Sequence, residues 1–385
     1  ALDWKAVEDP LEPTAKAEKF RVYTRINQGG FDTGRTVEGC HFMLEDPHPD
    51  SIYSFRVTAL NAGGESFPSE VLSVCKREGA KGLVGIVSAF DRVSGPAWFE
   101  DSAHAGFMPV VDRGVAWGMD LHTVGDQFDY KKSSPWLNDD SPGHGASYAD
   151  LEGTLIPGNT FDFTTIHGKH LVREGYSYVS ISDESLLEDS LDLEPYLLLD
   201  YLAGEERSTF FPKNDSMAHF QVFPEGMLAR LGDYLAKGGS LFISGAHIAS
   251  DAHLQGQDSL IALHFGIKWQ TSNASRKGKF YVADPEYGVY SRDFSFNTTL
   301  EAPIYAVEGA DALEPADEGS FTLMRYRENN MSAAVASRTG PGVVVLGFPF
   351  EAIPDEEERT EIMHITLKHI FERKANEQHI KMLLE

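Results

Sequence analysis

The stretch GGSLFISGAHIASDAH, residues 238–253, decides the fold. Two glycines precede an apolar, β-rich run, a turn of small residues follows, and polar residues then open a helix. This order predicts a buried strand that turns sharply into a helix, the elbow at which α/β proteins commonly place active-site groups. Three side chains of the elbow can carry chemistry, and they are Ser244, His247 and Asp251.

Strands and helices alternate on both sides of the elbow, which is typical of a parallel sheet with helical crossovers. Residues 82–90, 176–185 and 342–353 predict further strands, and residues 163–175, 224–239 and 358–374 predict helices. A β-rich insertion is expected at 268–340. We therefore predict a three-layer α/β domain over residues 79–385, built on a mostly parallel sheet.

The first 78 residues predict an all-β region instead. KFRVYTRIN (19–27) and IYSFRVTALN (52–61) alternate apolar and polar residues, and glycine-rich turns follow both. The stretch YSFRVTALNAGGESFPSEVLSV (53–74) resembles the last two strands of a fibronectin type III domain, with Tyr53 at the corner tyrosine and Trp4 at the core tryptophan of that family. The resemblance implies a β-sandwich whose first strand is missing, and hence an N-terminal domain of the same polypeptide upstream of residue 1.

The order of elements from residue 224 onward resembles the class I glutamine amidotransferase-like, or flavodoxin-like, fold. Together with FDRVSGPAWF (90–99), SPWLNDDSPGHGASYADLEG (134–153) and VVVLGFPFEAI (343–353), the chain resembles secreted bacterial proteins labelled xanthan lyase. That resemblance implies a secreted, periplasmic or cell-surface protein. It also implies a polysaccharide or peptidoglycan-like polymer as partner.

The elbow lacks the cysteine that the amidotransferase-like family uses as nucleophile. Both cysteines of the chain, Cys40 and Cys75, lie in the N-terminal region, so Cys-dependent amidotransfer is excluded. Ser244 is a substitute nucleophile or a small residue that permits close packing. His247 and Asp251 stand four residues apart and share one helix face, which suits an acid/base pair, a metal site, or a capping aspartate beside a solvated histidine.

The long segment 90–162 leaves the carboxyl edge of the first predicted strand, where such sheets bind ligands. Aromatic rings among carboxylates suit a sugar site, in which rings stack on the sugar and carboxylates bind its hydroxyls, but the same rings could anchor a surface loop. The candidates for substrate binding are Arg92, Trp98, Asp126, Trp136, Asp139 and Asp140, and the candidates for catalysis are His144 and Tyr148. Asp139 and Asp140 could also bind Ca²⁺, and no other cofactor is predicted.

Asp183 and Glu184 end the second predicted strand and should face the same edge. Paired carboxylates can act as acid and base in glycoside hydrolysis. A lyase acting on a uronic acid would instead need a cation and a base, for which Arg92, His144 and Tyr148 are available. Glu351 is interpreted as a charge at a helix N-terminus.

Charge and composition exclude two classes of partner. The chain has 59 acidic and 33 basic residues, which gives it a net charge of −26. This charge disfavours nucleic acid as a partner, because phosphate binding needs clustered lysine and arginine. The chain has no apolar run of the roughly 18 residues that a membrane helix requires, so membrane insertion is not expected.

Three hypotheses for the function follow. The first is an exported glycan- or cell-envelope-polymer-processing protein, a polysaccharide lyase or hydrolase or part of one. The second is a noncatalytic accessory or binding domain with a degenerate elbow, and the third is a Ser-dependent esterase or amidase. Convergence of His144, Asp183 and His247 in one cleft would favour the first.

Overall fold

The computed structural model describes residues 1–8, 14, 16–66, 68–91, 98–100, 105–107, 162–188, 190–208, 218–284, 292–299 and 304–384. At 98–100, 105–107 and 373–384 it describes the backbone alone.

Twenty strands and six helices lie in the described part of the chain. The strands are β1 (Leu2–Asp3), β2 (Lys19–Ile26), β3 (Arg35–Val37), β4 (His41–Phe42), β5 (Tyr53–Asn61), β6 (Gly64–Glu65), β7 (Leu72–Cys75), β8 (Leu83–Ser88), β9 (Trp98–Glu100), β10 (Ala105–Phe107), β11 (Ser177–Ser182), β12 (Tyr196–Gly204), β13 (Leu241–Gly245), β14 (Ile267–Thr271), β15 (Lys279–Val282), β16 (Phe294–Ser295), β17 (Ala312–Pro315), β18 (Ser320–Tyr326), β19 (Ser332–Ser337) and β20 (Val343–Leu346). The helices are α1 (Phe163–Arg173), α2 (Asp183–Leu186), α3 (Met227–Ala236), α4 (Ile248–Leu254), α5 (Asp258–Phe265) and α6 (Glu356–Leu384).

Five parallel strands form the centre of a large sheet, in the order β20-β13-β12-β8-β11. Strands β13 and β20 are buried along their whole length. Such near-continuous apolar runs are expected where helices cover both faces of a parallel sheet.

Strand β12 is the member of this centre that the sequence analysis did not name. Its sequence, YLLLDYLAG, is apolar except for Asp200, and it lies between β8 and β13. The run has the length and composition of a buried strand, so the signal was readable in the sequence.

Helices cover both faces of the sheet and complete three layers. Helices α1 and α6 bury residues such as Phe163, Leu171 and Ile362 against one face. Helices α3, α4 and α5 pack on the other face, where Met227 and Leu231 are buried. No helix in the part of the chain that the structure describes is long and apolar enough to cross a lipid bilayer.

The sheet is mixed, and the prediction of a mostly parallel sheet holds for its centre alone. Strands β19, β18, β15 and β16 continue it antiparallel beyond β20. On the other side, β7, β5, β2 and β3 continue it antiparallel beyond β11. Strands that follow one another through short turns pair antiparallel, whereas parallel pairing needs a crossover.

The N-terminal strands therefore belong to the same sheet as the α/β centre. Tyr178 of β11 pairs with Cys75 of β7. The short β1–β4 pair lies over these strands, and a small core that includes Val22 and Phe42 fills the space between the two layers. The hydroxyl of Tyr53 accepts a 2.9 Å hydrogen bond from the backbone amide of His48, which fixes the loop before β5.

Candidate functional site

The parallel strands all end at one edge of the sheet, and acidic side chains collect there. Asp91 follows β8, the pair Asp183 and Glu184 follows β11, and the pair Glu205 and Glu206 follows β12. Glu70 joins them, because the Ser88 hydroxyl at the end of β8 donates a 2.9 Å hydrogen bond to its carboxylate. We call these six residues the acidic edge.

Three carboxylates of the acidic edge lie together. Asp91, Asp183 and Glu184 each offer an oxygen within 4.8 Å of the others. Asp183 and Glu184 form the first turn of α2, whose start is capped by the Ser182 hydroxyl as it accepts a hydrogen bond from the Ser185 amide. The sequence analysis expected Asp183 and Glu184 at this edge, and the structure adds Asp91 to them.

Burial and the crowding of negative charge raise the pKa of two carboxyl groups of the acidic edge. Burial, followed by the charges of Glu184 and Asp91, raises the pKa of Asp183 to about 8. Burial also raises the pKa of Glu70 to about 7, although the hydrogen bond from Ser88 opposes the shift. Both carboxyl groups therefore exchange protons near neutral pH, as a general acid must.

A chain of contacts joins the trio to the elbow. The Asp91 amide donates a 3.2 Å hydrogen bond to Glu206. The neighbouring Glu205, which is 1% exposed, accepts a 2.8 Å bond from the Glu308 amide, and its other oxygen lies 3.4 Å from Nε2 of His247. His247 thus faces the same edge as Asp183, whereas His144, the third residue of the predicted cleft, lies outside the described residues.

The helix that opens at the elbow already has an acceptor for its first amides. Oδ2 of Asp311 accepts hydrogen bonds of 2.9 Å and 2.7 Å from the amides of Ala249 and Ser250, and Oδ1 accepts one from the Ser272 hydroxyl. Burial raises the pKa of Asp311 to about 6, and His247 opposes the shift. These first amides of α4 are therefore already occupied by the protein's own carboxylate.

The side chains of Ser244 and Asp251 are both buried. Ser244 is fully buried, and its hydroxyl has no hydrogen-bond partner among the described residues. Asp251 accepts hydrogen bonds from the amides of Ser208 and Val222, so it anchors the segment after β12. His247 directly precedes α4 and Asp251 lies within it, and each has its own partners.

The other predicted site residues lie in the segment 92–161. Trp98 stands on β9, whose backbone alone is described. Outside the described residues lie Arg92, Asp126, Trp136, Asp139, Asp140, His144 and Tyr148, and with them the predicted Ca²⁺ site. Their roles stay predictions.

A second titratable cluster lies in the core and was missed by the sequence analysis. His167 of α1 is fully buried, and its ring nitrogens lie 2.8 Å from Asp200 of β12 and 3.2 Å from Glu351. Tyr305 donates a 2.5 Å hydrogen bond to Glu351. The interpretation of Glu351 as a helix N-terminal charge was wrong, because Glu351 is buried and α6 begins at Glu356. The one signal in the sequence was Asp200 within an apolar run.

Comparisons with known proteins give distant likenesses of part of the chain. No protein family profile matches it, and no curated protein is similar to it. An exo-β-1,4-mannosidase structure from Opitutaceae bacterium strain TAV5 is similar over 55% of this chain and 32% of its own, at 14% identity and a TM-score of 0.35. A glutamine amidotransferase structure from Thermotoga maritima matches 54% of this chain and 90% of its own, at 9% identity and a TM-score of 0.33. Another from Methylobacillus flagellatus matches 55% and 88%, at 10% identity and a TM-score of 0.32.

These likenesses assign no family and no activity to the chain. The mannosidase match spans about a third of that enzyme's length.

The acidic edge can support two kinds of chemistry. A protonated Asp183 beside a second carboxylate can serve acid–base catalysis. The three oxygens of Asp91, Asp183 and Glu184 also suit a hard cation such as Ca²⁺, which binds carboxylates and would relieve their repulsion. The two uses compete, because a bound cation displaces the proton from Asp183.

Proposed function

We propose that this protein processes a glycan or cell-envelope polymer by acid–base catalysis at the acidic edge. The observation that carries the proposal is the trio of Asp91, Asp183 and Glu184, whose oxygens lie within 4.8 Å of one another where β8 and β11 end. A carboxyl group that keeps its proton, beside a second carboxylate, is the pair that glycoside hydrolysis needs.

In this reaction Asp183 is the general acid. Its pKa of about 8 keeps its proton at neutral pH, and it gives that proton to the oxygen of the leaving sugar. Glu184 is the second carboxylate, which attacks the sugar carbon as the bond to that oxygen breaks. A water then displaces Glu184 from that carbon and gives a proton back to Asp183, so the sugar leaves with a new hydroxyl group. The short separation of the carboxylates favours retention, since inversion needs roughly 6.5–9.5 Å to admit a water between them.

Charge favours a hydrolase over a lyase. A lyase that acts on uronic acids must place a cation beside the sugar carboxylate, whereas the acidic edge repels that group. The segment 92–161, which holds the predicted cation Arg92, itself has more acidic than basic residues. We therefore favour a neutral or amino sugar polymer over an acidic one such as xanthan.

The cellular setting rests on the resemblances of the sequence. A fibronectin type III-like N-terminal region and the likeness to proteins labelled xanthan lyase support export to the periplasm or cell surface.

A noncatalytic accessory domain is the second candidate. The observation that favours it is Asp311, whose carboxylate already occupies the amides of Ala249 and Ser250 at the start of α4. A Ser-dependent esterase or amidase is the third candidate, and it gains no support from the buried hydroxyl of Ser244.

A screen of the protein against a panel of glycans and peptidoglycan, with chromatographic detection of products, tests the proposal. Asp183→Asn should abolish any activity found, because the amide has no proton to give. Asp233→Asn, an exposed change on α3, is the matched control and should keep it.

Two results would contradict the proposal. Full activity of Asp183→Asn would remove Asp183 from the reaction. Activity that is lost with EDTA and restored by Ca²⁺ would make the trio a metal site instead. Specific binding to a glycan without any product would support the accessory domain.

A further inference from the structure

The buried cluster around His167 joins three separate parts of the chain. His167 lies on α1, Asp200 on the central strand β12, and Glu351 in the turn after β20. All three side chains are fully buried. The His167 ring also packs edge-on against Phe350 at 4.7 Å.

The geometry favours a protonated, positively charged ring. Each ring nitrogen lies within hydrogen-bond distance of a carboxylate, at 2.8 Å from Asp200 and at 3.2 Å from Glu351. A neutral imidazole has one N–H group and can donate to one of them, whereas imidazolium donates to both. Two carboxylates buried without a cation between them would repel each other at great cost, so the imidazolium is also the counter-ion of the cluster.

Two other titratable residues, Tyr305 and His170, lie near the His167 ring. Tyr305 donates to Glu351 and does not reach the ring itself. His170, one turn further along α1, accepts a hydrogen bond from Arg359 of α6, and its pKa is lowered to about 3 by burial and by Arg359 and Arg173. His170 is therefore neutral wherever His167 titrates.

We propose that protonated His167 pins α1 to the sheet and that its deprotonation at alkaline pH releases α1 locally. A neutral ring can donate to only one of the two carboxylates and no longer offsets their negative charge, and that penalty falls on the contact between α1, β12 and the turn after β20.

Release of α1 would reach the acidic edge. Phe163, the first residue of α1, stacks on Phe90 with ring centroids 5.3 Å apart, and Tyr305 packs edge-on against both rings. Phe90 immediately precedes Asp91. The contacts of His167 with Asp200 and Glu351 therefore support the aromatic residues next to Asp91. They do so whether or not the proposed function is correct.

The pH range follows from the proton affinities. The two carboxylates overcome the opposing effect of burial and raise the pKa of His167 from 6.5 to about 9. Burial raises the pKa of Asp200 as well, so both partners hold protons more firmly in the folded chain. The stabilisation from His167 is complete below pH 6.5 and is lost as the pH rises through 9.

Hydrogen exchange of the full chain between pH 6.5 and 9.5, corrected for intrinsic rates, tests the proposal. Protection of the α1 amides should fall by up to about tenfold per pH unit in this range, since one proton is released on opening. Helix α3, on the opposite face of the sheet, is the internal control, and its protection should fall less steeply than that of α1, because only the pH dependence of global stability acts on it.

Two variants identify the group responsible. Glu351→Gln removes one carboxylate, so the fall in α1 protection should move to lower pH by about one unit or more. His170→Gln changes a neighbouring histidine that does not titrate in this range, so it should leave the midpoint of the fall unchanged.

Three results would overturn the proposal. These are α1 protection that does not depend on pH, a parallel loss in α1 and α3 that reports global unfolding, and a Glu351→Gln midpoint equal to that of the parent protein. The wild-type profile alone decides the first two, so the test survives if the variant fails to fold.

Discussion

The carboxylate of Asp311 accepts a 2.7 Å hydrogen bond from the backbone amide of Ser250, across an interval of 61 residues. The acceptor lies directly before β17, beyond the elbow and its two helices, and it also binds the Ala249 amide. A residue distant in the sequence thus supplies the cap that the elbow itself lacks, since the side chain of His247 makes no capping bond at the start of α4.

Replacing this cap should weaken the fold. Asp311→Ala leaves the buried amide of Ala249 and its neighbour without an acceptor, so we expect a loss of about 1–3 kcal/mol in the free energy of unfolding. Urea denaturation measures it. Asp311→Asn keeps an acceptor oxygen and should lose less, and equal losses for the two variants would contradict the capping role.

The buried hydroxyl of Ser244 should be dispensable for stability. Ser244→Ala removes a polar group that has no partner among the described residues, so the free energy of unfolding should stay within about 0.5 kcal/mol or rise. Thermal unfolding checks this. A loss above 1 kcal/mol, which mutational data associate with a broken hydrogen bond, would show that the hydroxyl has a partner.

Asp183 should make the protein less stable as the pH rises. Its pKa is raised from 3.8 to about 8, so the folded chain holds the proton more firmly, and the stability that this provides is lost as the pH rises through 8. Asp183→Asn should therefore be more stable than the parent protein, by a margin that grows from pH 4 to pH 9. Melting temperatures over this range measure the margin, and a margin independent of pH would contradict the raised proton affinity.

Close packing between α1 and the sheet allows no side chain at Gly168. A Cβ atom there would lie 2.0 Å from the ring of Tyr178, which is fully buried. Gly168→Ala should cost about 1–3 kcal/mol despite the better helix propensity of alanine. Gly30→Ala, where a Cβ meets no atom within 4 Å, is the control and should change the free energy of unfolding little. Equal effects would mean that α1 can shift away from Tyr178.

The sequence predicted the local elements near the elbow well, because their signals are local. The apolar run before Ser244 and the glycine at 238, with a φ of 91°, mark the strand and the end of the preceding helix. The expected single helix after the elbow is two helices, α4 and α5, separated at Gly256, whose φ of 71° favours glycine. Helical spacing alone did not reveal that break.

The candidate site was predictable only where a strand had been recognised. Asp183 and Glu184 follow a predicted strand and were expected at the edge. Glu205 and Glu206 follow β12, which had not been named, so their place at the same edge was not foreseen.

Contacts between distant segments left no local pattern. The bond from Asp311 to the start of α4 and the contact of His167 with Glu351 span 61 and 184 residues. Spacing and periodicity describe neighbours along the chain, and they do not encode which distant side chains meet.

Because β7 pairs with β11, the chain cannot be divided near residue 78 without separating two hydrogen-bonded strands. A fragment that starts at residue 79 would expose the backbone N–H and C=O groups of β11 along an open sheet edge. Such an edge is a template for pairing with a second copy, and fragments of this kind tend to aggregate. The first 78 residues thus act as a built-in cover for the α/β centre, and we expect the two regions to express well together and poorly apart.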